Sequence, residues 1–549
     1  MGLIKPEPLP YDSLEWTRKP LHERGRLVCE VWAMHGYGAP LAIYGVYAAK
    51  LAFYIWGWSF FCGFSPSLGR LDSIRTWWLN PLAFEKAILW SALFEGLGLG
   101  CGSGPLTGRY LPPLGGFLYF LRPGTTKLPL FPKLPLLGGI RRTLFDNALY
   151  LALIIFLVRA LIAPEIHAVE LWPVVVLIPI IGITDRTIFL ALRSEHYWTT
   201  AVVFLFAGNW IAGAKAVQLA LWFFAGVSKL NHHFPAVVAV MISNSPFTRF
   251  AWMRRLAYRA HPHDLRPSQL ITTMGHGGIF LELGVPIILM LAPGGWSLTL
   301  GLILMLMLHG YITSTVPMGV PIEWNFLVVY GGFALFWAHP EITILQIGPW
   351  PLTAFLITML LIIPILGNLY PQEISFLLAM RYYAGNWAYS IWLFKGESYK
   401  KLEKLTTSAP WVYQQLGLLY DRKTAVGIVG MVLGFRLMHL HGRALPLLLP
   451  KAVEKLHEYE YLDGEIIAGQ VLGWNFGDGH LHNEQLMHAV QAQCGFEPGE
   501  LRCIFVESQP LFRSTMAWRI ADAASGPIDA GTVEIAELRS RQPWVSSAI

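Results

Sequence analysis

The stretch WFFAGVSKLN, residues 222–231, puts a lysine, Lys229, at the end of an apolar helical run. What that ammonium means depends on the solvent around it. Of 549 residues, 54% are hydrophobic and only 14% charged, against roughly 25% charged in a soluble domain. Such a chain sits mostly in lipid. Its 22 Trp, 31 Phe and 21 Tyr suit membrane–water interfaces, where an amphipathic ring satisfies both solvents. Its 52 Gly and 37 Pro suit membrane helices that break or pack closely. The net charge of +6 is small and dispersed, which argues against nucleic acid as a partner and for basic residues that set orientation. Membrane lipids are the expected surroundings.

Working outward from Lys229, a rule of about 20 mainly apolar residues per span gives about ten spans, with a range of 8–12. They lie near 38–63, 85–103, 143–163, 169–191, 197–212, 215–230, 268–291, 297–316, 324–338 and 350–370. Basic stretches check the count, because Lys and Arg collect in cytoplasmic loops. Those before the first span, in 109–142 (from Arg109), in 253–266 and in 395–404 all fall on the side of the N-terminus. Arg70 and Arg75 are the exception. The first ~35 residues lack a short apolar core with a small-residue cleavage site, so the first span is expected to serve as its own insertion signal.

The expected fold class is an all-α polytopic membrane bundle with a small C-terminal α+β soluble domain. Residues 1–37 form a cytoplasmic segment, 38–370 the transmembrane domain, 371–450 amphipathic or interfacial helices, and 451–549 the soluble domain. The Pro- and Gly-rich stretch 121–139 cannot be a regular helix. Residues 425–440 are apolar but hold Arg436 and His439, and read as a docked or interfacial helix that has the composition to span. EIIAGQVLGWNF and RCIFVE have strand composition, and TMAWRIADA alternates Met516, Trp518 and Ile520 on one face, ready to pair with GTVEIAEL.

Lys229 has two readings. A helix-end lysine snorkels, burying its methylenes and placing its ammonium among headgroups. Held among Trp222, Phe224 and their neighbours, the amine instead loses hydration, which disfavours its charge and makes it a general base. Three histidines bear on the choice. His276 and His309 lie in expected spans and His196 nearly does; an ionisable residue there needs a partner or a cavity. Glu282 follows His276 by six positions, off its helical face. Trp324 is a further aromatic candidate for the wall of such a cavity.

The segment WFFAGVSKLNHHF resembles the one around the catalytic lysine of the vitamin K-dependent gamma-glutamyl carboxylases and their bacterial HTTM-domain relatives. The order that follows is similar too: a Gly-rich helix with an acid (HGGIFLELG), then a helix with a histidine (MLHGYITSTVPMG). The likeness covers about residues 180–340, and the chain as a whole resembles a bacterial transmembrane family of unknown function. The resemblance implies a reduced quinone as cofactor, Lys229 as the base that deprotonates it, and His309 and His196 positioning a quinone oxygen. Trp222, Phe224, His276, Glu282 and Trp324 would contact substrate. The carboxylases' large soluble region for a protein substrate has no counterpart here, so protein carboxylation is not expected. The expected location is a bacterial plasma membrane with both termini cytoplasmic.

Two other readings stand beside the enzyme: a lipid-binding or transport protein, with Lys229 pairing an anionic headgroup, and a structural subunit of a membrane complex. The cysteines Cys29, Cys62, Cys101, Cys494 and Cys503 have neither disulfide-framework nor zinc spacing. In GDGHLHNEQLMH, Asp478, His480, His482 and His488 could collect a metal, but a turn feeding a helix near Asn483 is the better reading. No metal site is expected, and oligomeric state is not legible.

Overall fold

The computed structural model describes residues 3–544 apart from 101–115, 207, 209, 249, 293, 316–320 and 478. Cys101, Arg109, Asp478 and the end of MLHGYITSTVPMG therefore lie outside the described residues. The chain is mostly helical, at 59%. The helices that matter below are α1 (Leu21–His35), α2 (Leu41–Cys62), α3 (Pro81–Gly96), α4 (Leu144–Ile162), α5 (Ala168–Thr184), α6 (Tyr197–Phe204), α7 (Trp210–Val227), α8 (Phe234–Asn244), α9 (Gln269–Leu291), α10 (Gly295–Thr313), α11 (Ile322–Trp337), α12 (Trp350–Leu369) and α13 (Arg422–Met438).

Local chemistry sets several of their ends. Thr143 and Asp146 form a capping box at the start of α4, satisfying two orphan amides at once. Asn80 caps α3 with Pro81 in its first turn, where the missing N–H costs nothing. The Ser268 hydroxyl accepts from Ile271 N to start α9.

All ten expected spans contain a helix, but among the described residues only α4, α7, α9, α10 and α12 have both the length and the apolar composition to cross a bilayer. A sixth arises where α13 and the segment His441–Ala452, bent by 99°, count as one broken span. The shortfall has a physical cause. From Ala83 to Gly96 every residue of α3 except Glu85 is buried, and a helix apolar all round can be buried by protein as well as by lipid. Composition cannot separate the two. The α5 and α8 helices are likewise short, and α6 is only 8 residues long. In α9 and α10 only a third of the best window is buried in protein, whereas in α7 the share is 72%. The α7 helix is thus central, and α9 and α10 present exposed apolar faces.

The C-terminal region departs further from expectation. Its sheet has five antiparallel strands in the order β4-β3-β5-β6-β7, where β3 is Tyr389–Lys395, β4 Tyr459–Asp463, β5 Leu501–Val506, β6 Thr515–Asp522 and β7 Gly526–Glu534; β1 (Tyr258–Ala260) and β2 (Asp264–Pro267) form a separate hairpin. The sheet therefore takes β3 from the 371–450 region expected to be helical. YSIWLFK is buried through all but its last residue, and a short continuous apolar run does not reveal its period. RCIFVE falls in β5, and TMAWRIADA forms β6, with Met516 opposite Val533 of β7. EIIAGQVLGWNF, by contrast, begins with a helix, Gly464–Leu472, whose first amides are capped by Asp463. The stretch 121–139 is irregular, and the bridges Thr125–Thr406 and Thr126–Arg141 fasten its start. Arg436, at the end of α13, is buried against Asp463 at 2.6 Å and Glu465 at 2.8 Å, which ties α13 to the sheet.

Candidate functional site

Lys229 sits in a break between two helices. The α7 helix stops at Val227 and α8 restarts at Phe234, so carbonyls in the last turn of α7 lose their helical partners and need others. The lysine supplies one: its Nζ donates to Ala225 O at 3.0 Å, capping the last turn of α7, and to Tyr382 O at 3.4 Å. The third proton goes to Glu282 Oε1 at 2.7 Å. The Phe234 ring lies under the ammonium at 5.5 Å. Both side chains of the ion pair are more than nine-tenths buried. Asn231, two residues on, holds the loop between β5 and β6: its Nδ2 donates to Pro510 O and its Oδ1 accepts from Phe512 N. His233 is buried against His441, their rings 5.5 Å apart.

The pair lines a cavity of about 320 Å³ between α7, α8, α9 and α10. Leu221, Trp222 and Ala225 of α7, Phe234, Val238 and Met241 of α8, and Leu281 of α9 form its apolar wall, while Trp324, Asn325, Tyr382, Tyr383 and Phe476 close other sides. Met274 of α9 and Met307 of α10 also line it, yet both are exposed on the outer faces of their helices. The cavity thus runs from a buried ion pair to exposed faces of two candidate spans.

His309 lines this space but is fully engaged. Trp222 Nε1 donates to His309 Nε2 at 2.8 Å. An indole N–H only donates, so Nε2 is the bare nitrogen, and Nδ1–H donates to Asn325 Oδ1 at 2.5 Å. Asn325 Nδ2 returns to His309 O at 3.2 Å and also reaches the Thr313 hydroxyl. His196 lies behind Trp324, whose indole donates to His196 Nδ1 at 3.1 Å. Trp324 itself packs against Tyr382, the rings tilted by 42° with centroids 4.8 Å apart.

Lys229, Glu282, Trp222, His309 and Trp324 are therefore brought together, with His196 one layer behind. Phe224 and His276 are not. Phe224 is buried away from the cavity, edge-on to Phe223, and His276 is exposed on the far side of α9. Before the helix Glu484–Cys494, His482 Nδ1 is bonded to the Ser390 hydroxyl at 2.7 Å and Asn483 caps the helix.

The sequence reading passed over a second set of buried charges behind Trp324. Lys50 pairs with Glu323 at 2.9 Å, Arg193 with Glu95 at 3.0 Å, and the Tyr382 hydroxyl donates to Glu195 at 3.0 Å. The Arg193 guanidinium also lies over Trp324 at 5.4 Å. A signal was present, since an ionisable residue within an apolar helix, such as Glu95 in LWSALFEGLG, needs a partner.

No curated protein and no solved structure matches the chain, so no link to the carboxylases comes from comparison. The family described as "Transmembrane protein of unknown function (DUF3556)" matches residues 1–548. That match covers the bundle, the cavity and the C-terminal sheet alike, and the chain belongs to this family of transmembrane proteins.

Proposed function

We propose that the cavity receives a lipid-soluble ligand from the bilayer, with its polar head at Lys229 and Glu282 and its tail leaving between Met274 and Met307. One observation carries this reading: a buried ion pair stands at the inner end of an apolar space whose outer walls are exposed on candidate spans. A charge at membrane depth is expensive unless paired or placed at a functional cavity. Here it is both. The volume is at the lower end for small-molecule sites, roughly 300–1,000 Å³, enough for a head and the start of a tail.

The reduced quinone implied by the carboxylase resemblance fits the aromatic and apolar walls, with Lys229, Tyr382 and Trp324 as the residues that would hold it. When bound, such a group supplies reducing electrons. Lys229 would then act as base by passing its own proton to Glu282, 2.7 Å away, before taking one from the bound hydroxyl. His309 would position Trp222 rather than polarise an oxygen, because both its nitrogens are occupied. A binding or transport role without catalysis is favoured by a different observation: all three Lys229 protons already have acceptors.

Mass spectrometry of lipids and quinones that co-purify with the protein tests the shared premise. Ala225→Phe fills the cavity from α7 and is expected to strip the bound molecule. An unchanged lipid profile in that variant would overturn the reading. Lys229→Arg keeps the charge but removes the base, so ligand retained with turnover lost marks the enzyme.

A further inference from the structure

Resting on that cavity reading, we infer that the ligand is an uncharged long-chain lipid with a hydroxyl head, of the fatty-alcohol class, and not a fatty acid or phospholipid. Charge balance is the first reason. Among the described residues, Lys229 and Glu282 are the only formally charged side chains on the cavity wall, and they neutralise each other at 2.7 Å. His309 adds no charge, since its Nε2 is held bare by the Trp222 indole. A carboxylate or phosphate entering this space would leave a net negative charge in a low-dielectric site, with its nearest cation already paired. A neutral head carries no such penalty.

Hydrogen bonding gives the second reason. Glu282 uses Oε1 for Lys229, and among the described residues its Oε2 has no hydrogen-bond partner. A wall with a spare carboxylate oxygen needs a ligand that donates. A hydroxyl does so, whereas an ionised fatty acid has no proton to offer and repels Glu282. The same hydroxyl oxygen can accept from Lys229 in place of its long bond to Tyr382 O, 3.4 Å.

The test measures binding of tritiated hexadecanol, palmitate and hexadecylamine to the full-length protein in detergent near neutral pH. The wild type is expected to hold hexadecanol at least about tenfold more tightly than palmitate, a difference of about 1.4 kcal/mol. Glu282→Gln leaves the lysine unbalanced and should reverse that order in favour of palmitate. Lys229→Met should favour hexadecylamine, and Glu282→Asp, which keeps the charge, should keep the alcohol preference even where the other variants fold poorly. Palmitate bound as tightly as hexadecanol by the wild type, in a site that Ala225→Phe blocks, overturns this inference and leaves the cavity standing. No binding of any probe, or binding that Ala225→Phe does not change, removes the cavity reading and this inference with it.

Discussion

Removing one partner of the Lys229–Glu282 pair should cost far more than removing both. Lys229→Met leaves a carboxylate whose side chain is 8% exposed, and Glu282→Leu leaves an ammonium 6% exposed. Neither can recover full hydration. Breaking a buried pair from one side costs about 3–5 kcal/mol, whereas an exposed pair is worth about 0–1 kcal/mol. Lys229→Met also uncaps Ala225 O and removes the contact with the Phe234 ring, so it should be the more damaging of the two. The double variant Lys229→Met/Glu282→Leu has no stranded charge and fills its own space with apolar atoms. It should therefore regain stability over both singles, so the coupling exceeds the cost of the larger single, about 3–5 kcal/mol. Equilibrium unfolding in mixed detergent, followed by far-UV circular dichroism, reads all four proteins on one scale. Single variants within about 1 kcal/mol of wild type, or a double no better than the worse single, would mean that water reaches the pair, and the argument for a desolvated site would fail.

The hydrogen-bond pattern fixes the proton of His309 on Nδ1, and 15N NMR of labelled histidine should report that tautomer. Trp222→Phe removes the donor to Nε2 and leaves a buried acceptor unmet, at a cost of about 1–3 kcal/mol; a stability equal to wild type would refute the assignment. In the C-terminal sheet, burial raises the Glu460 carboxyl to about 7, with Arg422 partly opposing. A raised folded value means a contribution that is full below the unfolded value of about 4.3 and is lost as pH rises through about 7. Glu460→Gln should therefore gain on the wild type in thermal stability as pH rises from about 5 to 8, and a difference that does not change with pH would exclude a buried Glu460 carboxyl.

Helical geometry explains which site residues could be read in advance. At 100° per residue, Trp222, Ala225 and Lys229 share a face, and these line the cavity. Phe224, two positions from Trp222, points elsewhere on the same rule, so its assignment as a contact residue ignored direction. His276 and Glu282 were separable for the same reason, and only Glu282 faces inward. The pairing of Lys229 with Glu282 could not be read, because it joins residues 53 apart through packing of α7 on α9. Nor could the engagement of His309, which needs Trp222 from α7 and Asn325 from α11 to meet one ring. Strand β3 was lost to a different cause: the seven residues of YSIWLFK carry too few turns of either period to decide.

The helix break resolves the choice between snorkelling and a buried amine. Snorkelling requires that the end of the lysine's helix lie near the headgroups. Glu282 lies 13 residues into a 23-residue helix, about 20 Å from its start at 1.5 Å per residue, and the Lys229 ammonium meets it there. The end of α7 is therefore set deep beside α9 rather than at its rim, and α8 continues the path of the chain through 11 more residues, ten of them buried. A cation at a helix C-terminus is favoured by the dipole and by the free carbonyls, so the break stabilises the charge it also encloses. In the sequence the apolar runs of α7 and α8 are separated by SKLNHH, residues 228–233, which is why the first reads as a span that ends. In the folded chain it is a path that pauses, and the pause is where the polar atoms collect.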